Sequence, residues 1–363
     1  MPMDIHDWSF SYMKHDISGL SFLSYVVDWI VYVAILTVAI LFGSVIPPWY
    51  HEFSTNDISL MYSHVSEEDT VIPINILLVI TVVLPLLQFV LCALYSPSSG
   101  TRRAWDIFAG LTCLCGSMAT QLMITCVLKN ICGLPRPDLL SRCQADIDLV
   151  PDEGLSTVAV CTNDNIFLLQ EGFRSFPSGH SSTVFCGMVV TSLNIAGKFQ
   201  VFDKRAMSTK IFLTIVPIIV ACFVACTRIS DNRHFLRDVV GGAIIGSSAA
   251  VWFYSQCFPS VFHLENAGRA YPPRRFGVAA FFNNVGGFWA LREKIPGSFM
   301  DRILNTRSTL ELLKNSDPIV NGEIDNPDEL VNIQSNIRFL NRIAPIFKNR
   351  TLNLNTKQEE TSV

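Results

Sequence analysis

Apolar residues in this chain gather into long blocks separated by polar segments. A bilayer core takes about 20 apolar helical residues to cross. Six blocks reach or approach that length, over residues 29–46, 72–95, 107–128, 181–196, 211–226 and 239–258. Buried helices of a large soluble core do not account for that many nearly uncharged runs. The pattern therefore predicts an all-α chain, a six-span transmembrane helical bundle. The first block lacks a basic leader and an Ala-x-Ala-like cleavage site, so it reads as a retained span and not a signal peptide. Pro73, Pro85 and Pro217 fall inside spans, where neighbouring helices can satisfy the freed backbone groups. Small residues crowd the fourth block (Ser181, Ser182, Gly187) and the sixth (Gly241, Gly242, Ala243, Gly246, Ser247, Ser248), so these two helices are predicted to pack closely.

Composition sharpens this picture. Of 363 residues, half are hydrophobic and 16% are charged, and the mean hydropathy is +0.36. A disordered chain needs low hydrophobicity and high charge, so that class is excluded, and an ordinary soluble enzyme is disfavoured. The net charge of −4 provides no bulk field for nucleic acid. An even number of spans puts both termini on one side. Loops on that side carry Arg102, Arg103, Lys198, Lys204, Arg205 and Lys210, and Arg269, Arg274 and Arg275 follow the last span. By the positive-inside rule this side is cytosolic. The expected organisation is a membrane domain over 1–258 and a cytosolic tail over 259–363. Within the tail, Phe276–Leu291 reads as interfacial. Asn326-Pro327-Asp328-Glu329 starts an amphipathic helix over about 327–345, with Leu330, Ile333, Ile337, Leu340 and Ile343 on one face. The rest of the tail is polar and reads as disordered. The sequon at Asn349 falls on the cytosolic side and is discounted.

The non-cytosolic loops break the charge rule. The first, over 47–71, has no Lys or Arg, but the other two carry Lys129, Arg136, Arg142, Arg174, Arg228, Arg233 and Arg237. Cations there have work other than topology. Lys129, Arg136 and Arg228 fall with two histidines and one carboxylate into three clusters at span ends: Lys129 to Pro137, Phe176 to His180, and Thr227 to Asp238. Arginine forks and a lysine suit the oxygens of a multiply charged oxyanion. Free amides at Ser178, Gly179 and His180 add donors at a positive helix end. One histidine can attack phosphorus while the other protonates the leaving oxygen. Asp238, four residues after His234, can accept from one ring nitrogen and leave the other nucleophilic. Taken singly, Lys129 could snorkel, Pro177-Ser178-Gly179 could be a plain turn, and His234 with Asp238 could be a surface pair. Three such clusters at consecutive span ends do not read as accident. His51 and His64 fit no cluster and read as solvated loop residues.

The strings KNICGLPRP, PSGH and TRISDNRHFLRD resemble the three-part motif of the type 2 phosphatidic acid phosphatase superfamily. The longer RPDLLSRC and EGFRSFPSGHSS are similar to its fungal and plant lipid phosphate phosphatases, including diacylglycerol pyrophosphate phosphatases. The resemblance covers about Val26 to Phe258 and leaves out the tail. It implies an active site at the non-cytosolic ends of spans three to six. It assigns phosphate binding to Lys129, Arg136 and Arg228 with Ser178 and Gly179. It makes His234 the nucleophile that forms a phosphohistidine, Asp238 its positioning group and His180 the general acid. Thr227 stands where the family has Ser, keeping the hydroxyl. The family works without magnesium, and three fixed cations can supply the neutralisation that metals supply elsewhere; no metal site and no cofactor are expected. The implied activity is magnesium-independent hydrolysis of diacylglycerol pyrophosphate, phosphatidate and lysophosphatidate, in an endomembrane (vacuole, ER or Golgi) or the plasma membrane. The alternatives are a sphingoid-base or polyprenyl phosphate phosphatase, a transferase on the same scaffold, or a non-catalytic relative that has lost motif residues. A transporter would place its charges at the membrane midplane. The partners expected are lipid substrates and the bilayer, with no nucleic acid. Cys132, Cys143 and Cys161 lie in the long outer loop; in an oxidising compartment one bridge can form, with Cys143–Cys161 preferred, and the alternative is three free thiols. The other cysteines fall in spans and read as small apolar residues.

Overall fold

The computed structural model describes residues 9–12, 15–96, 100–151, 154–203, 207–262 and 267–271. The interfacial stretch at 276–291 and the tail helix expected at 327–345 lie outside the described residues. Two short strands, Ser9–Tyr12 and His15–Ser18, precede an otherwise helical chain. The helices belong to the unit formed by residues 11–17 and 21–274.

Helix α1 spans Gly19–Ile40 and ends in one widened turn, Leu41–Val45. The next span is built from α2, Ile74–Leu78, a second widened turn, Val79–Val83, and α3, Leu84–Leu94. Pro85 explains the interruption, because it has no N–H to offer the carbonyl of Thr81 one turn earlier. Helix α4 runs over Gly100–Cys132. After short helices α5, Leu139–Cys143, and α6, Ile166–Gly172, come α7, Gly179–Lys198, α8, Ser208–Ser230, and α9, Leu236–Cys257. Each of the apolar blocks read from the sequence overlaps a helix.

Among the described residues, five segments are long and apolar enough to cross a membrane: Phe22–Val45, Ile74–Leu94, Arg103–Cys132, Ser208–Ser230 and Leu236–Cys257. Helix α7, over the fourth of the apolar blocks, is not among them. It packs against α4, α8, α9 and the Pro85 span, and most of its residues are buried. A helix surrounded by other helices can carry polar residues as interhelical glue. Gln121 Nε2 donates to Thr183 Oγ1 at 3.1 Å, Thr125 Oγ1 to Ser182 Oγ at 3.1 Å, and Gln88 Nε2 to Asn194 Oδ1 at 2.9 Å. The outer helices instead leave large apolar side chains exposed, among them Ile30, Val33, Phe212, Phe223 and Trp252.

Small residues set the contact between α7 and α9. A Cβ on Gly242 would come within 2.5 Å of the Ser178 carbonyl oxygen, and one on Gly246 would overlap the carbonyl of Ser182. Ser181 Oγ donates to Val239 O at 2.7 Å across the same seam. At the opposite end of the helices from this seam's start, the chain after α9 turns back onto α4. Trp105 Nε1 donates to Tyr271 O at 2.7 Å, and Asp106 accepts from Lys198 Nζ at 2.6 Å and from the Ala270 amide at 3.2 Å.

The loops before α2 and between α4 and α7 share a small apolar core of Phe53, Leu60, Leu139, Cys143, Val160 and Phe173. A disulfide joins Cys143 and Cys161. Cys113 and Cys186 are buried, but Cys222 and Cys226 are exposed on α8, so the reading of all span cysteines as packed residues does not hold for that helix.

Candidate active site

Lys129 sits in the last turn of α4. Gly133 then takes a left-handed conformation at φ +55°, and a Cβ there would overlap the carbonyl of Trp49. This turn delivers Arg136, whose amide donates to Gly172 O at 2.8 Å. Ser178 caps α7, accepting from the Ser181 amide at 3.4 Å, and its own amide donates to Asp238 O at 3.0 Å. A Cβ on Gly179 would lie 3.6 Å from Lys129 Cε, so the lysine stem runs past the start of α7. Arg228 occupies the last turn of α8, and a left-handed turn at Asn232 leads to His234 and the start of α9. Helix ends distant in sequence therefore meet at one place, because the α7–α9 seam holds their starts together and α4 and α8 end beside them.

His234, Arg136, Arg228, Ser178 and Asp238 are all buried. The imidazole of His234 is held well below its ordinary value, first by burial and then by the charges of Arg136 and Lys129 and the neighbouring His180. His180 has Arg228, Lys129, Arg136 and Arg233 as its charged neighbours. Arg228 Nε and Nη2 reach Thr227 Oγ1 at 3.3 and 3.2 Å, and Nη2 pairs with Asp231 Oδ2 at 2.7 Å. The threonine hydroxyl thus does for Arg228 what a serine hydroxyl could do. Nε2 of His180, Nδ1 of His234 and Nε of Arg136 are buried without a hydrogen-bond partner among the described residues. Such atoms cost free energy unless a ligand satisfies them.

Asp238 differs from the sequence reading. Its Oδ2 lies 3.9 Å from His234 Nδ1, too far for a hydrogen bond. That oxygen instead accepts from Ser175 Oγ at 2.5 Å and from the Phe235 amide at 2.9 Å. The second of these is the cap that starts α9, which competes for the same lone pairs.

A ring of supporting residues was not picked out by the sequence. Glu171 Oε2 pairs with Arg136 Nη2 at 2.9 Å and its Oε1 with Arg174 Nη1 at 2.9 Å. Burial alone would raise the Glu171 carboxyl. The charges of Arg136 and Lys129 and the Arg174 hydrogen bond outweigh it and hold the group at about 2. Lys129 Nζ donates to Arg174 O at 2.8 Å. Beneath Arg136, buried Asp138 accepts from His64 Nδ1 at 2.7 Å and Arg142 Nε at 2.9 Å. His64 is therefore not the solvated loop residue that the sequence suggested. Arg233 Nη2 donates to Val65 O at 2.7 Å and pairs with Glu67 at 3.3 Å. In the sequence, Arg142, Arg174 and Arg233 stand out as excess outer-loop cations; Asp138 and Glu171 fall inside the family-like strings RPDLLSRC and EGFRSFPSGHSS, with no chemical role read for them. Among the described residues no group of three or more His, Cys, Asp or Glu side chains could hold a metal ion.

This constellation defines a phosphate-handling membrane protein of a known class. The PAP2 superfamily profile matches residues 110–261, which contain all three clusters. The chain is 33% identical over 239 residues to the probable diacylglycerol pyrophosphate phosphatase 1 of Schizosaccharomyces pombe, covering 65% of this chain and 82% of that protein. It is 30% identical over 279 residues to lipid phosphate phosphatase 2 of Arabidopsis thaliana, covering 77% and 89%. Diacylglycerol pyrophosphate phosphatase 1 of Saccharomyces cerevisiae is 30% identical over 217 residues, covering 59% and 73%. No solved structure matches significantly. The chain belongs to the PAP2 superfamily.

Proposed function

We propose that this protein is a magnesium-independent lipid phosphate phosphatase that hydrolyses diacylglycerol pyrophosphate, phosphatidate and lysophosphatidate through a phosphohistidine. The observation that carries the reading is the convergence of Lys129, Arg136 and Arg228 on His180 and His234, with Arg136 Nε and His180 Nε2 buried and without partners among the described residues. Lys129, Arg136 and Arg228, with the amides around Ser178 and Gly179, hold the phosphoryl oxygens and oppose the charge that builds on them. Burial keeps His234 unprotonated, so a ring nitrogen lone pair is free to attack. Nδ1 faces Asp238, which leaves Nε2 to form the bond to phosphorus while the bond to the leaving oxygen breaks. His180 gives that oxygen a proton, then takes one from the water that cleaves the phosphoenzyme. Asp238 orients His234, and the 3.9 Å gap closes when the ring acquires positive charge.

We further propose that α7 is the sixth span, shielded from lipid by its neighbours, and that both termini face the cytosol. The Cys143–Cys161 bridge supports an oxidising environment for the site face. The lipid's acyl chains then stay in the bilayer while its headgroup enters from the non-cytosolic side.

The test is phosphate release in EDTA from a panel of lipid phosphates, comparing wild type with His234→Ala. Release from diacylglycerol pyrophosphate and phosphatidate by wild type alone is the expected result. Full activity in His234→Ala rules out the nucleophile. A panel active only on sphingoid or polyprenyl phosphates changes the substrate class.

A further inference from the structure

Three cations converge on the site, yet a carboxylate sits among them. Glu171, at the end of α6, is joined to Arg136 by one oxygen and to Arg174 by the other, each at 2.9 Å. Arg174 is itself fixed from several directions. Its Nε donates to Asn130 Oδ1 at 3.0 Å, its Nη1 to Gly43 O at 2.8 Å and its Nη2 to Ile46 O at 2.9 Å. Those carbonyls belong to the widened turn that ends α1 and to the residue after it. Asn130 is braced in turn by the carbonyls of Phe42 and Ile46. Finally, the backbone oxygen of Arg174 receives Lys129 Nζ at 2.8 Å. One arginine thus anchors Lys129 directly and, through Glu171, anchors Arg136.

A bare carboxylate near a phosphate would repel it. Here both oxygens are engaged by guanidinium groups, so the negative charge is spent on holding them. Arg136 keeps Nε free and buried, and its amide is tied to Gly172 O, one residue from Glu171. Backbone and side chain of Arg136 are therefore both referenced to the end of α6. A guanidinium with four side-chain torsions has large rotamer freedom in solution, and a fixed partner removes it before substrate arrives.

We propose that Glu171 is a positioning residue for phosphate binding: by bridging Arg136 to the α1-anchored Arg174, it fixes the direction of the Arg136 fork and ties it to the frame that holds Lys129. The inference rests on the assignment of Arg136 to the phosphate. A glutamine cannot replace Glu171, because it turns one of the two accepting oxygens into an N–H donor that opposes the arginine there.

The experiment is a titration of purified wild-type, Glu171→Gln, Glu171→Asp, Arg136→Ala and Glu171→Gln/Arg136→Ala proteins with orthovanadate, a phosphate mimic, alongside KM and kcat for phosphatidate. In Glu171→Gln the vanadate inhibition constant and KM should both rise about 10-fold, the equivalent of one weakened charge-assisted hydrogen bond, with a smaller change in kcat. Glu171→Asp should recover part of that loss. Adding Glu171→Gln to Arg136→Ala should then do little more, since the fork it positions is gone. Unchanged vanadate inhibition in folded Glu171→Gln, or an equal extra loss in the Arg136→Ala background, overturns the proposal. If Glu171→Gln does not fold, Glu171→Asp, alone and combined with Arg136→Ala, decides by the same titration: a loss seen only when Arg136 is present supports the role, and no loss rejects it. Vanadate binding that ignores Arg136→Ala instead overturns the phosphate assignment itself, and is told apart because it appears without any Glu171 change.

Discussion

Asp238 accepts from Ser175 Oγ and the Phe235 amide and lies beside His234. Asparagine there keeps the shape but loses the charge that stabilises an imidazolium, so Asp238→Asn should lower turnover by about 10²–10⁴-fold, as removing the acid of a triad does. Stopped assays with a thermal-unfolding control check this. Glu171 carries a pH signature. Its folded value of about 2 lies below the ordinary 4.5. A depressed carboxyl adds stability that is complete above 4.5 and disappears as pH falls toward 2. The melting-temperature difference between wild type and Glu171→Gln should therefore shrink across that window; a constant difference contradicts the shift. At this scale the types and spacing of Lys129, Arg136, His180, Arg228 and His234 marked them as one group, and the fold brings them together. The sequence did not reveal how their supports pair. His64 and Asp138 are 74 residues apart, and only the folded loops bring them together.

The apolar blocks locate the helices well, since hydrophobic length is a strong signal in lipid. The block over α7 is short, and its Ser, Thr and Asn side chains lower its hydropathy while they meet other helices. The small residues on α7 and α9 did indicate their close approach. Gly246→Ala should therefore be costly, since the new methyl meets the Ser182 carbonyl. A loss of about 1–3 kcal/mol is expected from overpacking, read as a lower unfolding temperature in detergent. An unchanged temperature would mean that the seam can open freely. A loss of phosphatase activity should accompany the change, because Ser178 and Asp238 start the two helices at that seam.

For the whole molecule, the proposed orientation makes a direct prediction. In sealed vesicles with the cytosolic face outward, a protease should remove a tag placed after Val363 and leave the Cys143–Cys161 loop intact. The reverse pattern would turn the protein over. The tail's own role was not legible, because its polar composition carries no span or chemical motif. Its first residues are another matter. The segment ending at Tyr271 lies on Trp105 and Asp106, and Gly268, at φ +73°, is so close to Gly197 that neither tolerates a side chain. Anyone shortening this protein for purification should cut beyond that mooring. A stop codon placed just after α9 would strip Asp106 and Trp105 of their bonds to residues 270 and 271, loosening the ends of α4 and α7 that carry Trp105 and Lys198 while the proposed catalytic ends remained untouched in sequence.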